Sequence, residues 1–303
     1  MESVLNRFRI FNTIAFVIFS IAIGQAVSLF LACIIYDVNT SEILQALKDP
    51  MHGDKNLIIL ISLLYTSFSF LIIPTIYLFL YNKGSLKFLR PENKIQFTPL
   101  MLSIITVVTI IPFVTILIKL NASVAFPAWL SELENYLRET EENARHVSNF
   151  LLDFGEPKDL LMAILTIAII PGIVEELFFR GMVQIQLQDA LKNSHHAILM
   201  SAFLFSFFHF QFYGFIPRFI FGVLLGYIFF WSKNIWYSCA AHVMNNLIGV
   251  LGGYFMGPRF LSTDDGGFTS IVLLIPSVAV TVLAMLLFKR IKHGNFKEDK
   301  LTI

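Results

Sequence analysis

Ionisable and hydrogen-bonding side chains interrupt three apolar segments in the C-terminal half of the sequence. They are Glu-Glu-Leu-Phe-Phe-Arg at 175–180, Phe-Ser-Phe-Phe-His at 205–209 and His-Val-Met-Asn-Asn at 242–246. Each of these groups would cost on the order of several kcal/mol if it faced hydrocarbon without a partner. The sequence therefore predicts that the three sets meet in one shielded cavity, which is the candidate site of chemistry.

The spacing of the first set separates two roles. Glu176 and Arg180 are four residues apart and share one face of a helix, so they can form an ion pair that offsets much of the cost of their burial. Glu175 points about 100° away from that face and is free to accept a proton in a different environment. The alternative interpretation of the two glutamates is a charged turn at the membrane interface.

The other two sets add imidazoles and an amide. His209 follows Phe205 by one helical turn, and a single histidine in such a place is more often a core residue than a catalyst. His242 and Asn246 are four residues apart and share a face, a spacing that fits slightly better than that of His242 and Asn245. The alternative for this pair is hydrogen bonding between helices.

The composition predicts a protein that crosses a membrane many times. The 303 residues are 56% hydrophobic and 14% charged, against about 45–50% and about 25% in typical soluble proteins. The net charge of +1 gives no overall field that would favour nucleic acid. Cys33 and Cys239 have no CxxC spacing, and both are interpreted as small buried hydrophobic residues.

Eight segments have the apolar length that a membrane helix needs, which is about 20 residues. The predicted fold is an all-α membrane bundle, and the first span is an uncleaved anchor. The middles of spans four, five and seven place the polar side chains within about 6 Å of one depth. The spans lie near 12–36, 57–82, 98–119, 159–184, 195–214, 217–232, 235–256 and 268–288.

Charge asymmetry predicts that both termini are cytoplasmic. With eight spans, basic residues fall on one side and acidic residues on the other. The basic set is Arg7, Arg9, Lys83, Lys87, Arg90, Lys94, Lys289, Arg290, Lys292, Lys297 and Lys300, and the acidic set is Asp37, Glu42, Asp49, Asp54, the stretch 132–153, Asp264 and Asp265.

The long connection between spans three and four predicts an external amphipathic helix near 127–151, in which apolar residues such as Leu133, Leu137 and Ala144 recur at helical spacing. The chain is thus divided into an N-terminal membrane region (1–157), a core (158–256) and a last span with a basic tail (257–303). Gly222 and Gly226 predict a close helix contact. Pro74, Pro112 and Pro171 predict helix kinks.

The order Glu-Glu-x-x-x-Arg, Phe-x-x-x-His, His-x-x-x-Asn resembles the signature of the CPBP intramembrane peptidases. This family comprises the CAAX prenyl-protein endopeptidases and bacterial relatives linked to bacteriocin processing and self-immunity. All three motifs are complete, and the resemblance covers roughly residues 158–256.

The resemblance implies that Glu175, with His209, activates a water molecule that attacks a peptide carbonyl. His242 and Asn246 would stabilise the oxyanion, and Glu176, Arg180 and Phe205 would support the site. The resemblance implies neither a serine nor a cysteine nucleophile, and Cys239 lacks an activating arrangement.

The cofactor requirement stays open between two mechanisms. Glu175, His209 and His242 could supply three zinc ligands with an open position for water. The sequence contains no His-Glu-x-x-His motif, and the same residues suffice for a glutamate mechanism without metal. We prefer the metal-free mechanism and keep zinc as the alternative.

The predicted function is therefore an intramembrane endopeptidase in a bacterial cytoplasmic membrane, with a membrane-associated protein or peptide as substrate and the lipid bilayer as its surroundings. A non-proteolytic scaffold or bacteriocin self-immunity factor with the same fold is the alternative. An ion-coupled transporter that uses the buried carboxylates is disfavoured, because the sequence lacks matching halves with discontinuous helices.

Overall fold

The computed structural model describes residues 2–50, 53–81, 94–257 and 271–298. These residues form helices and connections without a strand, so the predicted all-α fold is confirmed. The predictions for Lys83, Lys87, Arg90, Asp264, Asp265 and Lys300 lie outside the described residues, and so does the side chain of Lys297. The α-helices are α1 Glu2–Tyr36, α2 Thr40–Lys48, α3 Lys55–Ser67, α4 Ile73–Tyr81, α5 Phe97–Thr109, α6 Ile111–Ala122, α7 Ser131–Leu151, α8 Pro157–Ala163, α9 Ile170–Phe178, α10 Ile185–Leu191, α11 Ser194–Phe207, α12 Phe215–Ser232, α13 Ile235–Met256 and α14 Leu274–Glu298.

Six stretches of the described chain are long and apolar enough to cross a membrane, which makes this a multi-pass membrane protein. α13 has 22 residues but is not among the six, and α11, with 14 residues, rises only about 21 Å. The count of eight and the cytoplasmic termini therefore stay predictions. The six stretches are Asn6–Tyr36, Lys55–Leu80, Phe97–Ala122, Pro157–Leu191, Phe215–Ser232 and Leu274–Lys292.

The predicted fifth span, 195–214, is wrong at its C-terminal end. α11 ends at Phe207, and the chain turns through 208–214 before α12 begins. Phe210 adopts a left-handed backbone conformation with φ 54° in this turn. His209 therefore lies after the helix and not within it, although its side chain still reaches back to Phe205.

Two long membrane helices contain π-helical turns directly before a proline. Phe68–Ile72 joins α3 to α4 ahead of Pro74, and Ile164–Ile169 joins α8 to α9 ahead of Pro171. Proline has no N–H, so the carbonyl four residues earlier loses its helical donor and the turn widens. Pro112 likewise follows the break between α5 and α6 at Ile110.

Small residues bring the helices of the C-terminal half close together. A Cβ built on Gly172 of α9 would lie 2.9 Å from the backbone nitrogen of Val243 in α13. Gly222 lies against Ala202 and Phe205, and Gly226 lies against Ile198, so α12 packs closely on α11. The predicted close contact at Gly222 and Gly226 is confirmed.

α7 is the amphipathic helix between the third and fourth membrane stretches. It begins at Ser131, after a 3-10 turn at Ala128–Leu130, and ends at Leu151. Glu134 fixes its first half by pairing with Arg138 at 2.7 Å and by accepting a hydrogen bond from the backbone of Phe126. Its position outside the membrane stays a prediction.

Candidate active site

The three sequence motifs come together where α9, α11 and α13 meet. Glu175 and Glu176 lie on α9, Phe205 lies on α11, and His242 lies on α13. The contact of Gly172 with Val243 sets the distance between α9 and α13. Because Val243 adjoins His242, this contact holds the imidazole beside the two glutamates.

The fully buried carboxylate of Glu176 is the centre of the arrangement. Its Oε1 lies 2.9 Å from Nη1 of Arg180, so the predicted ion pair is present. The same oxygen lies 2.9 Å from Nδ1 of His242. A carboxylate oxygen accepts, so His242 donates its Nδ1–H, and its Nε2 faces the remaining space.

Arg180 joins this carboxylate to two neighbouring helices. Its Nη2 donates to the carbonyl of Gly222 at 3.0 Å, and its guanidinium lies 4.8 Å from the ring centroid of Phe205. One turn later, Gln184 donates to the carbonyl of Gly226 at 3.1 Å. Arg180 and Gln184 both lie in the π-helical turn Phe179–Gln184, which joins α9 to α10, and they thus bind two glycine carbonyls with the same spacing on α12.

Glu175 faces a more open environment than Glu176. Its side chain is 13% exposed, and its Oε2 lies 3.9 Å from Nε2 of His242. This distance is too long for a direct hydrogen bond, but a water molecule about 2.8 Å from each atom could bind both. Glu175 is therefore the carboxylate of the pair that is placed to act on a water.

One ring nitrogen of His209 is hydrogen-bonded to the backbone. Its Nδ1 lies 2.7 Å from the carbonyl oxygen of Phe205, to which it donates, and this leaves Nε2 as an acceptor. Its ring packs edge-on against Phe205, with centroids 4.9 Å apart. No hydrogen bond joins His209 to Glu175 within the described residues, and the histidine closer to Glu175 is His242.

Asn246 compensates for the proline kink in the fourth membrane stretch. Pro171 cannot donate to the carbonyl of Ile167, and Nδ2 of Asn246 donates to that oxygen at 3.2 Å. Asn245 in turn donates to Oδ1 of Asn246 at 3.3 Å. His242 and Asn246 thus both make the bonds between helices that the structural alternative predicts.

A cavity of about 920 Å³ adjoins this cluster, and Asn245 of α13 lies in its wall. Sequence reasoning missed the roles of three other residues that line it near the site, namely Arg218 and Phe221 on α12 and Glu141 on α7. The ring of Phe221 lies 5.2 Å from that of His242, which connects the cavity to the cluster. The signal in the sequence was the spacing of Arg218, which lies three residues before the aromatic Phe221.

Glu141 lies outside the membrane stretches, and its carboxyl has a raised pKa. Burial raises the pKa of its carboxyl, against the opposing effects of Arg218 and of the backbone N–H groups of Tyr213 and Gly214. Its Oε2 is buried and has no hydrogen-bond partner among the described residues. One oxygen of this carboxyl group therefore lacks a hydrogen bond that it could accept.

The three residues considered as zinc ligands do not fit a metal centre in this arrangement. The described residues contain no group of three or more His, Cys, Asp or Glu side chains spaced to hold a metal ion. The Nδ1 bonds of His242 to Glu176 and of His209 to a carbonyl leave Nε2 of each ring free to bind a metal, but only Glu175 and His242 approach each other, so a group of three ligands is not formed among these described residues. We derive no step through a metal.

The fold and the site together define a helical membrane protein with a buried Glu, Arg and His cluster beside a cavity. Residues 157–248 match the family model described as type II CAAX prenyl endopeptidase Rce1-like. The match confirms the predicted CPBP resemblance over this region, which is less than half of the chain, and supports a function of the CAAX-type intramembrane protease kind. No curated protein and no solved structure matches the chain in the other two comparisons.

Proposed function

We propose that this protein is an intramembrane endopeptidase that hydrolyses peptide bonds of a membrane-associated protein or peptide. The observation that carries the proposal is the position of Glu175, which lies 3.9 Å from Nε2 of His242 and is bounded by the buried pair of Glu176 and Arg180. A partly exposed carboxylate beside a fixed imidazole is an arrangement suited to water activation. The family match supports the same kind of reaction.

In the proposed reaction Glu175 removes a proton from the water as it attacks the peptide carbonyl. The new carbon–oxygen bond places negative charge on the carbonyl oxygen, and the proton held by Glu175 passes to the leaving amine as the carbon–nitrogen bond breaks. The Nε2 of His209 is its free acceptor and can orient the water. His242 in its imidazolium form, which carries a proton on Nε2 as well as on Nδ1, and the second N–H of Asn246 are the proposed oxyanion donors.

Glu176 acts in this proposal as a positioning residue. Its bond to Nδ1 of His242 fixes the ring orientation and directs Nε2 toward Glu175. Its ion pair with Arg180 holds the carboxylate in place. The role resembles that of any buried carboxylate that orients a catalytic imidazole.

Cleavage of a membrane-tethered reporter by the purified protein tests the proposal. We expect Glu175→Gln and His209→Ala to lower the rate by about 10²-fold or more, because each removes a proton-transfer or water-binding group. Glu132→Gln, at an exposed position of α7, is the control and should cleave like the wild type. Undiminished cleavage by both site variants would refute the proposal.

A second candidate is a non-proteolytic scaffold or self-immunity factor. The observation that favours it is that Glu176, Arg180, His242 and Asn246 all make bonds that hold helices together. These bonds would persist in a protein that only binds a partner. An immunity or envelope phenotype that survives Glu175→Gln would favour this candidate over the protease.

We place the protein in a bacterial cytoplasmic membrane with both termini in the cytoplasm. The basic residues near the two ends, including Arg9 and Arg290, support this orientation. Reporter fusions at each terminus test it, since activity of a periplasmic reporter at either end would contradict it.

A further inference from the structure

The cavity beside the site has walls of two different kinds. Ile111, Val114 and Ile118 of α6 line one part, and charged side chains of α7 and α12 line another. Phe221 and Asn245 bring the cavity to the edge of the catalytic cluster. A molecule in the cavity would therefore meet both an apolar surface and fixed charges beside the cluster.

Arg218 is the cationic side chain of α12 in this cavity, and its position is closely defined. Its Nη2 lies 2.5 Å from Oε1 of Gln211. A Cβ built on Gly214 would lie 2.0 Å from the same nitrogen, so a side chain there would displace the guanidinium. Arg218 lies one helical turn from Phe221, on the same face of α12, and interacts electrostatically with both Glu175 and Glu141.

Glu141 supplies a carboxylate to this region from α7. The backbone N–H groups of Tyr213 and Gly214 and the guanidinium of Arg218 lie close enough to act on the carboxyl group, and each favours its ionised form. Its Oε2 nevertheless lacks a hydrogen-bond partner among the residues that the structure describes. A buried carboxylate oxygen without a partner is destabilising, so a better-placed carboxylate would replace it favourably.

We propose that Arg218 binds a carboxylate of the peptide substrate and that Glu141 occupies this anion site when no substrate is present. The inference rests on the proposed function, and it adds that the substrate carries a negatively charged carboxylate. Arg218 and the backbone N–H groups of Tyr213 and Gly214 would receive the carboxylate. Binding would displace Glu141 and release α7 from the cavity.

The substrate carboxylate has two sources, an acidic side chain or a free C-terminus, and both offer the same chemistry. A randomised decapeptide library, made once with a free C-terminal carboxylate and once as the amide, separates them. The full-length protein in lipid nanodiscs carries Glu175→Gln to prevent cleavage, and retained peptides are sequenced. We expect either enrichment of Asp and Glu or a preference for the free carboxylate, by about tenfold or more.

Arg218→Gln in the same background should remove this preference, and Arg290→Gln, at an exposed position of α14, should retain it. Gly214→Ala keeps the arginine but displaces its guanidinium, so it tests the site even if Arg218→Gln does not fold. Glu141→Ala should increase the retention of anionic peptides, because it removes the side chain that competes for the site.

Equal retention of anionic and neutral peptides, retention of neither library, or an unchanged preference in both Arg218→Gln and Gly214→Ala would overturn the inference. The readout is binding and not cleavage, so the two proposals fail separately. A wild-type protein that retains anionic peptides through Arg218 but cleaves none of them would refute the peptidase and leave the anion site standing.

Discussion

His242 donates its Nδ1–H to the buried Oε1 of Glu176 at 2.9 Å, and the same oxygen pairs with Arg180. The second glutamate of the motif thereby fixes the ring whose Nε2 faces the first glutamate. Two adjacent carboxylates thus have different surroundings: Glu176 is enclosed and paired, and Glu175 is partly exposed. We therefore expect Glu176 to contribute mainly to stability and Glu175 mainly to catalysis.

Glu176→Gln should destabilise the protein far more than Glu175→Gln does. Loss of the Glu176 charge leaves Arg180 buried without its counter-ion, which costs about 3–5 kcal/mol in comparable buried pairs. Glu175→Gln should unfold near the wild-type temperature and yet lose cleavage. Thermal unfolding and reporter cleavage of the two variants, measured in the same nanodiscs, check this, and equal unfolding temperatures would contradict it.

Arg180→Lys should not replace the arginine, although the charge is kept. Arginine reaches Glu176 and the carbonyl of Gly222 at once and lies over the ring of Phe205. A lysine ammonium has no planar fork to make these contacts together, so we expect a loss of about 1–3 kcal/mol in unfolding free energy. The exposed Arg290→Lys is the matched control, and a similar small effect of both changes would argue against the prediction.

Gly172→Ala should lower activity by moving α9 away from α13. The new Cβ would lie 2.9 Å from the backbone nitrogen of Val243, and backbone atoms cannot turn aside as a flexible side chain can. We expect a loss of about 1–3 kcal/mol and a longer distance from Glu175 to His242. Gly155→Ala is the control, because its Cβ would meet only Asp159 at 3.6 Å. The cleavage rate and the unfolding temperature should both fall in Gly172→Ala and stay near the wild-type values in Gly155→Ala.

The docking of α7 over the cavity should weaken as the pH rises. Burial raises the pKa of Glu141 in the docked state above the usual value of 4.5, so its contribution is complete below that value and is lost as the pH rises through the raised pKa. Arg218 and Tyr213 face the carboxyl from outside α7, and Arg138 and Arg145 of α7 line the same cavity.

Hydrogen exchange of α7, followed across this pH range, measures the docking. We expect exchange, corrected for its intrinsic pH dependence, to increase with pH in the wild type. Glu141→Gln should flatten the dependence, whereas Glu132→Gln should leave it intact. A dependence that persists unchanged in Glu141→Gln would assign the effect to another group.

The sequence by itself determined the fold class, most of the membrane segments and the polar sets, because apolar length and residue type are local properties. The spacing of Glu176 and Arg180 on one helix also predicted their ion pair, which the structure contains. The three ordered motifs predicted the family, and the match at 157–248 confirms it over that region.

Only the tertiary structure decided which groups face one another. The bond from His242 to Glu176 joins residues 66 positions apart, and no spacing rule on one helix could predict it. The early end of α11 at Phe207 depends on how the turn to α12 packs, and it places His209 outside the helix. The approach of Glu141 to the region of Arg218 depends on how α7 packs beside the turn that precedes α12, since a cavity is formed by distant segments that pack together.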